Sequence, residues 1–398
     1  MKYIVILGDG MSDEPMEILG GRTPLEVANI PTMDALASMG ELGLVQNVPA
    51  GMSPGSDVAN LSVLGYDPKE SYSGRSPLEA LSLNIDMEPD DIVFRVNVVT
   101  LTEEEPYAEK TITDHSAGEI STADAHVLME AIQQAFNNEE FQFYPGTSYR
   151  NIMIWKKGRR VALEPPHDHL TQVIGDYLPK EPVLRDFMER SYEILNNHPL
   201  NAKRAAEGKN KANSLWYWGA GTKPSLSDFR EKSGCKAAMI SAVDLLKGIA
   251  VGSGMTVYNV PGATGSVDTN WEGKAQAAVD ALLKDGHDFA YVHVEAPDEM
   301  AHQGLTEEKI RSIEYLDSRI IAPIKQAMEE AGEEFRMLIL PDHPNPIRYR
   351  THTSDPVPYV LYDSTMQRRA IAHYIEKEAA ATGNYEPNGH KLLARLIR

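Results

Sequence analysis

Short apolar runs that stop abruptly at Gly, Asp or Pro set the plan of this chain. Residues 2–7 form one such run, ended by Gly8-Asp9-Gly10, and residues 288–294 and 335–340 form two more. Runs of this length predict buried strands. Between the last two, apolar residues take helical spacing over 306–330, with Thr306 as candidate N-cap and acidic residues in the first turn. A second helix is predicted over 271–284. Strands alternating with long helices predict an α/β fold, a mostly parallel sheet with helices on both faces.

The middle of the chain has a different pattern. It carries alternating runs at 92–101 and 149–155, an acidic patch at 103–105 and a Pro-rich loop at 164–167. A polar helix is expected over 183–196, and 201–213 reads as an exposed connection. These features predict a smaller α+β unit, residues 76–221, inserted into a first domain made of 1–75 and 222–398.

Composition narrows the function. A length of 398 residues suits two domains, each able to bury a core. A formal charge of -20 argues against nucleic acid or an anionic membrane as partner, and an anionic substrate would need a locally basic pocket. The single cysteine, Cys235, excludes an internal disulfide framework and a Cys-based zinc site. The opening residues read as a strand rather than a signal peptide, and no run approaches the roughly eighteen apolar residues of a membrane span. A soluble, cytoplasmic protein is expected, of an oligomeric state that the sequence does not set.

Chemistry concentrates just past the strand-like runs. Asp9 follows the first; Asp298-x-x-x-His302 follows 288–294; Asp342-His343 follows 335–340; His352 lies in a loop closed by Pro356 and Pro358. In open parallel sheets, ligands gather beyond the carboxyl ends of strands. With Pro297 at the first helical position, Asp298 and His302 fall at i and i+4 on one face. Carboxylate and neutral imidazole are the ligand set of divalent transition metals, so these residues together predict a two-metal site for phosphate chemistry. Taken singly, each has a plainer reading. Asp298 could cap a helix, His302 lie at the surface and Asp342-His343 form a turn before Pro344, while His293, inside an apolar run, reads as a core histidine. His167-Asp168-His169 lies in a Pro-bounded loop outside this constellation.

Ser56, in Ser53-Pro-Gly-Ser56-Asp57-Val-Ala-Asn60, precedes a helix-like segment. A serine there meets free backbone N–H groups and the positive end of the dipole, where a phosphoryl group is stabilised. A metal on its Oγ would make it a nucleophile without a histidine base. The alternative is that Ser56 or Asp57 is only an N-cap; Ser53 and Ser62 are weaker rivals.

Together, Asp9-Gly-Met, Pro54-Gly-Ser-Asp-Val-Ala-Asn-Leu-Ser62, Tyr72-Ser-Gly-Arg-Ser-Pro-Leu-Glu79, Pro297-Asp-Glu-x-x-His302, Pro341-Asp-His343 and Thr351-His-Thr-Ser-Asp-Pro-Val-Pro358 resemble the archaeal-type cofactor-independent phosphoglycerate mutases of the alkaline phosphatase superfamily. The resemblance spans almost the whole chain. It implies an alkaline-phosphatase-like fold and interconversion of 3-phosphoglycerate and 2-phosphoglycerate through a phosphoserine. It also implies two divalent ions, Mn²⁺ first and Mg²⁺, Co²⁺ or Zn²⁺ as alternatives, and no bisphosphoglycerate. One ion would be held by Asp298, His302 and His352, the other by Asp9, Ser56, Asp342 and His343. The inserted unit would grip the small phosphorylated substrate through Arg75, Arg95, Arg150 and His115, joined by Lys247 of the first domain. Asp114 would serve as acid/base on the glycerate hydroxyls, or else as a turn residue. Glu119 stands where the family pattern places a basic or neutral side chain. Its charge would suit an acceptor with an ammonium group, as in a homoserine-kinase-like phosphotransferase; a phosphopentomutase-like enzyme or a phosphatase with the same site is a further alternative.

Overall fold

The computed structural model describes residues 1–366 and 371–398. Two compact units divide the chain, Met1–Tyr72 with Ser225–Arg398, and Ser73–Pro224. The expected joins after 75 and before 222 thus move to Tyr72/Ser73 and Pro224/Ser225. The displaced residues belong to the inserted unit because its two ends hold each other. Ser73 Oγ donates to Thr222 O, and Gly74, at φ +132, passes so near Gly221 that a Cβ would lie 2.9 Å from its Cα.

The first unit is built on an eight-stranded sheet. Its order is Tyr385–Glu386, Glu41–Val45, Val357–Asp363, Phe335–Leu340, Lys2–Gly8, Phe289–Val294, Ala237–Ile240 and Thr256–Tyr258. Val357–Asp363 runs antiparallel to both neighbours, and the other pairings are parallel. Alternation assigns the faces. Ile4, Ile6, Ala290, Val292, Met337 and Ile339 pack against Met33 and Leu36 of helix Pro31–Met39, Trp271 and Ala278 of helix Trp271–Leu283, and Ile313 and Ile324. The Ile, Val, Leu and Met side chains among them contribute about 1.5–3 kcal/mol each on burial. The opposite face is covered by helices Asp244–Gly252 and Leu392–Ile397. This is the α/β architecture that the apolar pattern predicts.

The predicted 306–330 helix is interrupted. It runs as Thr306–Tyr315, a π-helical turn Leu316–Ile321, and Ala322–Glu330. Pro323 is the physical reason: it has no N–H and its ring crowds the preceding turn, which the wider π turn relieves. The same turn lets buried Asp317 accept from Met33 N at 2.6 Å and Thr32 N at 3.2 Å, satisfying the start of helix Pro31–Met39. Thr306 is the first helical residue rather than the cap, which is Leu305.

The second unit carries a five-stranded antiparallel sheet. Ile92–Leu101 pairs with Arg150–Trp155, Ser214–Gly221 and Ile112–Asp114, and Phe141–Tyr144 lies beyond Arg150–Trp155. Helices Thr122–Phe136 and Pro182–Asn196 cover one face, with Leu128, Ile132 and Phe187 against Phe94, Val96 and Met153. On the other face Ala80 of helix Arg75–Ser82 packs on Val93, Ile152 and Ile154. The expected exposed connection at 201–213 is partly helical, Pro199–Ala206, because Pro199 opens it and Arg204 anchors it to Asp124 at 3.0 Å and to Ala117 O. No helix among the described residues is long and apolar enough to cross a membrane.

Candidate metal centre

Register brings the sequence-distant acids together. Leu7 pairs with both Leu340 and His293, so the three central strands of the first unit end level. Asp9 leaves the first of them, Asp342 and His343 follow the second, and helix Ala296–Gln303 starts just past the third. Glu295 is its N-cap, which places Pro297 at the second helical position rather than the first. The i, i+4 spacing still sets His302 Nε2 3.1 Å from Asp298 Oδ2. Gly10 sits in the left-handed region at φ +59, and a Cβ there would lie 2.3 Å from Asp298 Oδ1. A side chain at this position would push a ligand out of place.

Two groups of donor atoms result. His302 Nε2 lies 2.9 Å from His352 Nε2, and His352 Nε2 lies 3.3 Å from Asp298 Oδ1. His343 Nε2 lies 3.3 Å from Asp342 Oδ2, 3.6 Å from Asp9 Oδ1 and 3.1 Å from Ser56 Oγ. The ligating atoms of Asp9, Asp342 and His343 fall within 4.8 Å of one another, as do those of Asp298, His343 and His352, so His343 adjoins both groups. Ligands about 2.1 Å from one ion stand roughly 3.0–3.5 Å apart. The imidazole tautomers agree with such a role. His302 Nδ1 is 2.9 Å from Arg350 O and His352 Nδ1 is 2.9 Å from Pro54 O. Each Nδ1–H therefore donates to a carbonyl and leaves the Nε2 lone pair for a cation.

Electrostatics calls for a cation. Asp9, Asp298 and Asp342 are 2%, 6% and 1% exposed, and among the described residues their ion-pair partners are imidazoles. Burial, then the charges of Asp342 and Asp298, push the Asp9 carboxyl well above its ordinary range. Asp9 Oδ1 is buried with no hydrogen-bond partner. Burial alone would raise Asp298 too, but hydrogen bonds from His302 and His352 hold it well below the usual carboxylate range. The bond to Asp298 in turn raises His302 to about 9. A proton on His302 thus occupies the place of positive charge that a divalent ion would take. Oxygen and imidazole donors with an orphaned carboxylate oxygen fit a divalent metal ion.

Ser56 is the first residue of helix Ser56–Val63, whose N-cap is Gly55. Asp57 is not a cap either: it accepts from Val58 N and from Tyr72 Oη at 2.8 Å. Of the rivals, Ser62 Oγ is buried with no partner inside the helix. Several residues at the site went unmarked by the sequence. Asn60, one turn past Ser56, donates to Asp342 Oδ2 at 3.0 Å and to Ser56 O, and accepts from Tyr291 Oη at 2.6 Å. Asn345 Nδ2 donates to Asp298 Oδ1 at 2.7 Å. His293, expected in the apolar core, instead has Nε2 2.9 Å from Asp9 Oδ2, and burial lowers its pKa to about 3, keeping it neutral. The i+4 spacing of Asn60 from Ser56 was the one available signal.

Lys309 is fully buried and joins the loops behind the site. Its Nζ donates to Asp13 Oδ2 at 2.8 Å, to Asn345 O at 2.8 Å and to Ser12 O. Lys309→Met leaves the Asp13 charge uncompensated and is expected to cost about 3–5 kcal/mol in urea unfolding. Adding Asp13→Asn to that variant should recover part of the loss; full wild-type stability of Lys309→Met would refute this role.

The other candidates fall in the second unit, apart from Lys247, which is half-buried on helix Asp244–Gly252. Arg75 and Arg95 both reach Glu79 Oε1, at 3.2 and 3.0 Å. Arg95 also lies 4.8 Å from the Trp218 ring centre, and its Nε is buried without a partner. His115 stands edge-on to Tyr149, which Arg150 overlies, and to His167, which in turn abuts Trp218. His169 pairs with Glu164 and stacks on Tyr177, so the two histidines of that motif point to different neighbours. Asp114 is the last residue of strand Ile112–Asp114. Its oxygens accept from Ser116 N and Oγ, Gly118 N and Asn210 Nδ2, which hold the carboxyl below its ordinary range against burial. Four hydrogen bonds leave it little capacity to take a proton. Glu119 is exposed beside it, at φ +49.

The chain is similar to several known proteins. A family model described as 2,3-bisphosphoglycerate-independent phosphoglycerate mutase matches residues 37–201. A Geobacter sulfurreducens protein named as a probable 2,3-bisphosphoglycerate-independent phosphoglycerate mutase is 48% identical, with 100% of each chain covered. A Methanothrix thermoacetophila protein of that name is 45% identical, again over 100% of both. The solved structure of a Pyrococcus horikoshii protein superposes with a TM-score of 0.82 at 31% identity, covering 100% of this chain and 96% of that one. That of a cofactor-independent phosphoglycerate mutase from Thermoplasma acidophilum gives 0.65 at 28% identity, covering 100% and 99%. The chain belongs to the family of 2,3-bisphosphoglycerate-independent phosphoglycerate mutases.

Proposed function

We propose that this protein is a cytoplasmic isomerase that interconverts 3-phosphoglycerate and 2-phosphoglycerate through a phosphoserine at Ser56, with two divalent ions, Mn²⁺ foremost, and no bisphosphoglycerate. The observation that carries the reading is Ser56 Oγ at a helix N-terminus, 3.1 Å from His343 Nε2 and 3.4 Å from Asp9 Oδ2. Asp298, His302 and His352 would hold one ion, and Asp9, Asp342, His343 and Ser56 the other. When bound, such ions lower the pKa of the serine hydroxyl and neutralise phosphate oxygens.

The residues themselves account for the rest. Ser56 Oγ, having lost its proton, attacks phosphorus in line, and the bond from phosphorus to the substrate O3 breaks as that oxygen takes a proton. The free backbone N–H groups at the start of helix Ser56–Val63 donate to the transferred group. Glycerate then turns so that O2, giving up its proton, attacks the phosphoserine and the bond to Oγ breaks; no water is consumed. Arg75, Arg95, Arg150 and His115 of the second unit would supply positive charge and N–H donors for the carboxylate of glycerate, and Lys247 of the first unit is a further candidate.

Purified protein with Mn²⁺ and 3-phosphoglycerate, coupled to enolase, should produce phosphoenolpyruvate without added bisphosphoglycerate. Inorganic phosphate in place of 2-phosphoglycerate would refute the mutase and favour a phosphatase. Transfer to an amino-alcohol instead would favour the kinase-like alternative that Glu119 suggests.

A further inference from the structure

We infer that His293 is a positioning residue for the cation of Asp9, Asp342 and His343, fixing the Asp9 carboxylate so that one of its oxygens is reserved for the ion. The inference rests on the two-cation reading of the site and not on the identity of the substrate. His293 lies in the central strand Phe289–Val294 and is fully buried. Its neighbours Val292 and Val294 join the apolar cluster on one face of the sheet, so its own side chain points to the other, as Tyr291 does. Packing alone would be served there by a valine or leucine, and the imidazole is instead engaged at both nitrogens.

The hydrogen-bond network assigns the tautomer. Ser241 Oγ accepts from Val243 N at 3.0 Å and lies 3.2 Å from His293 Nδ1. Nε2 lies 2.9 Å from Asp9 Oδ2, and a carboxylate only accepts. Nε2 therefore carries the proton and donates to Asp9, while Nδ1 accepts from the Ser241 hydroxyl. The serine, itself tied to the backbone, holds the ring; the ring holds Oδ2.

The consequence falls on the other oxygen. Oδ2 has a second contact, Ser56 Oγ at 3.4 Å, whereas Oδ1 has no hydrogen-bond partner and faces His343 Nε2 at 3.6 Å. With Oδ2 committed, rotation of the carboxylate is arrested and Oδ1 keeps its lone pairs for the ion. Outer partners of this kind typically change metal affinity by about 10–100-fold. Their effect is local: Asp298 is held by Asn345, and the rings of His302 and His352 by Arg350 O and Pro54 O, none of which involves His293.

Calorimetric titration of the full-length protein with Mn²⁺ alone tests this without any turnover. Wild-type protein should take up two ions. His293→Leu should weaken one of them by about 10–100-fold and leave the other unchanged. His293→Gln, whose amide reaches Asp9, should restore most of the affinity, and His293→Asn, whose amide falls short, should not. If the leucine variant fails to fold, the Asn/Gln pair carries the comparison. Wild-type affinities in His293→Leu, or in His293→Asn, would overturn the inference. So would equal weakening at both sites with no advantage of Gln over Asn, the signature of a merely structural residue. Uptake of fewer than two ions by the wild-type protein would overturn the two-cation reading itself, and this inference with it.

Discussion

Ser56→Ala is expected to lower mutase turnover by roughly 10⁴-fold or more, as loss of a nucleophile that acts as a unit with its partners does elsewhere. In the proposed reaction Ser56 Oγ is the oxygen that carries the phosphoryl group between O3 and O2. Ser62 is enclosed in its helix and Asp57 is tied to Tyr72. The substitution removes one donor from a group that also contains Asp9, Asp342 and His343, so Mn²⁺ uptake should change far less than turnover. The enolase-coupled assay measures the loss, and acid quench during turnover should trap phosphate on the Ser56 peptide of the wild type alone. Undiminished turnover in the variant would dispose of the phosphoserine route.

Removal of divalent ions should have the second large effect, on activity and stability together. Three buried carboxylates then face one another with imidazoles and neutral N–H donors, but no full positive charge of an ion, to offset them. Chelation is expected to abolish turnover, with recovery on Mn²⁺ and much less on Ca²⁺, whose larger shell of oxygen ligands suits this His-rich set poorly. An ion at a hundred times its dissociation constant stabilises the folded state by about 2.7 kcal/mol, worth roughly 5–10 °C in Tm for a unit of this size. The direction with pH follows from the ligands. His302, His343 and His352 must be unprotonated to bind, so apparent affinity falls as pH falls. A chelated protein that kept its turnover and its melting temperature would exclude the metal centre.

The features legible in the sequence were those written in local pattern. Apolar runs ending at Asp9, at the Pro297-Asp298 turn and at Pro341-Asp342 announced parallel strands and, through the carboxyl-end rule, the convergence of acids that the register produces. Features that depend on a partner far along the chain were hidden. His293 looks like core because its neighbours are core; only the strand pairing that sets it beside Asp9 reveals its role. Asn345 sits between two prolines and Lys309 on an ordinary amphipathic helix, so neither local context hints at a contact with Asp298 or Asp13. For Asp114 the sequence did not show the surroundings of the carboxyl, which accepts from donors of the turn that follows it and from Asn210, more distant in sequence. The π turn at Leu316–Ile321 was within reach, because Pro323 stood in the predicted helix as a breaker.

The position of strand Lys2–Gly8 has a further consequence, for biosynthesis. It leaves the ribosome long before either of its neighbours in the sheet, Phe289–Val294 and Phe335–Leu340. The inserted unit is continuous in sequence and has its own core, so it can close while this strand still waits with unpaired edges. Such a segment, apolar and without a mate until those strands emerge, is where a nascent chain would need a chaperone's cover, and Asp9 meets Asp342 and His343 only after the inserted unit has been made.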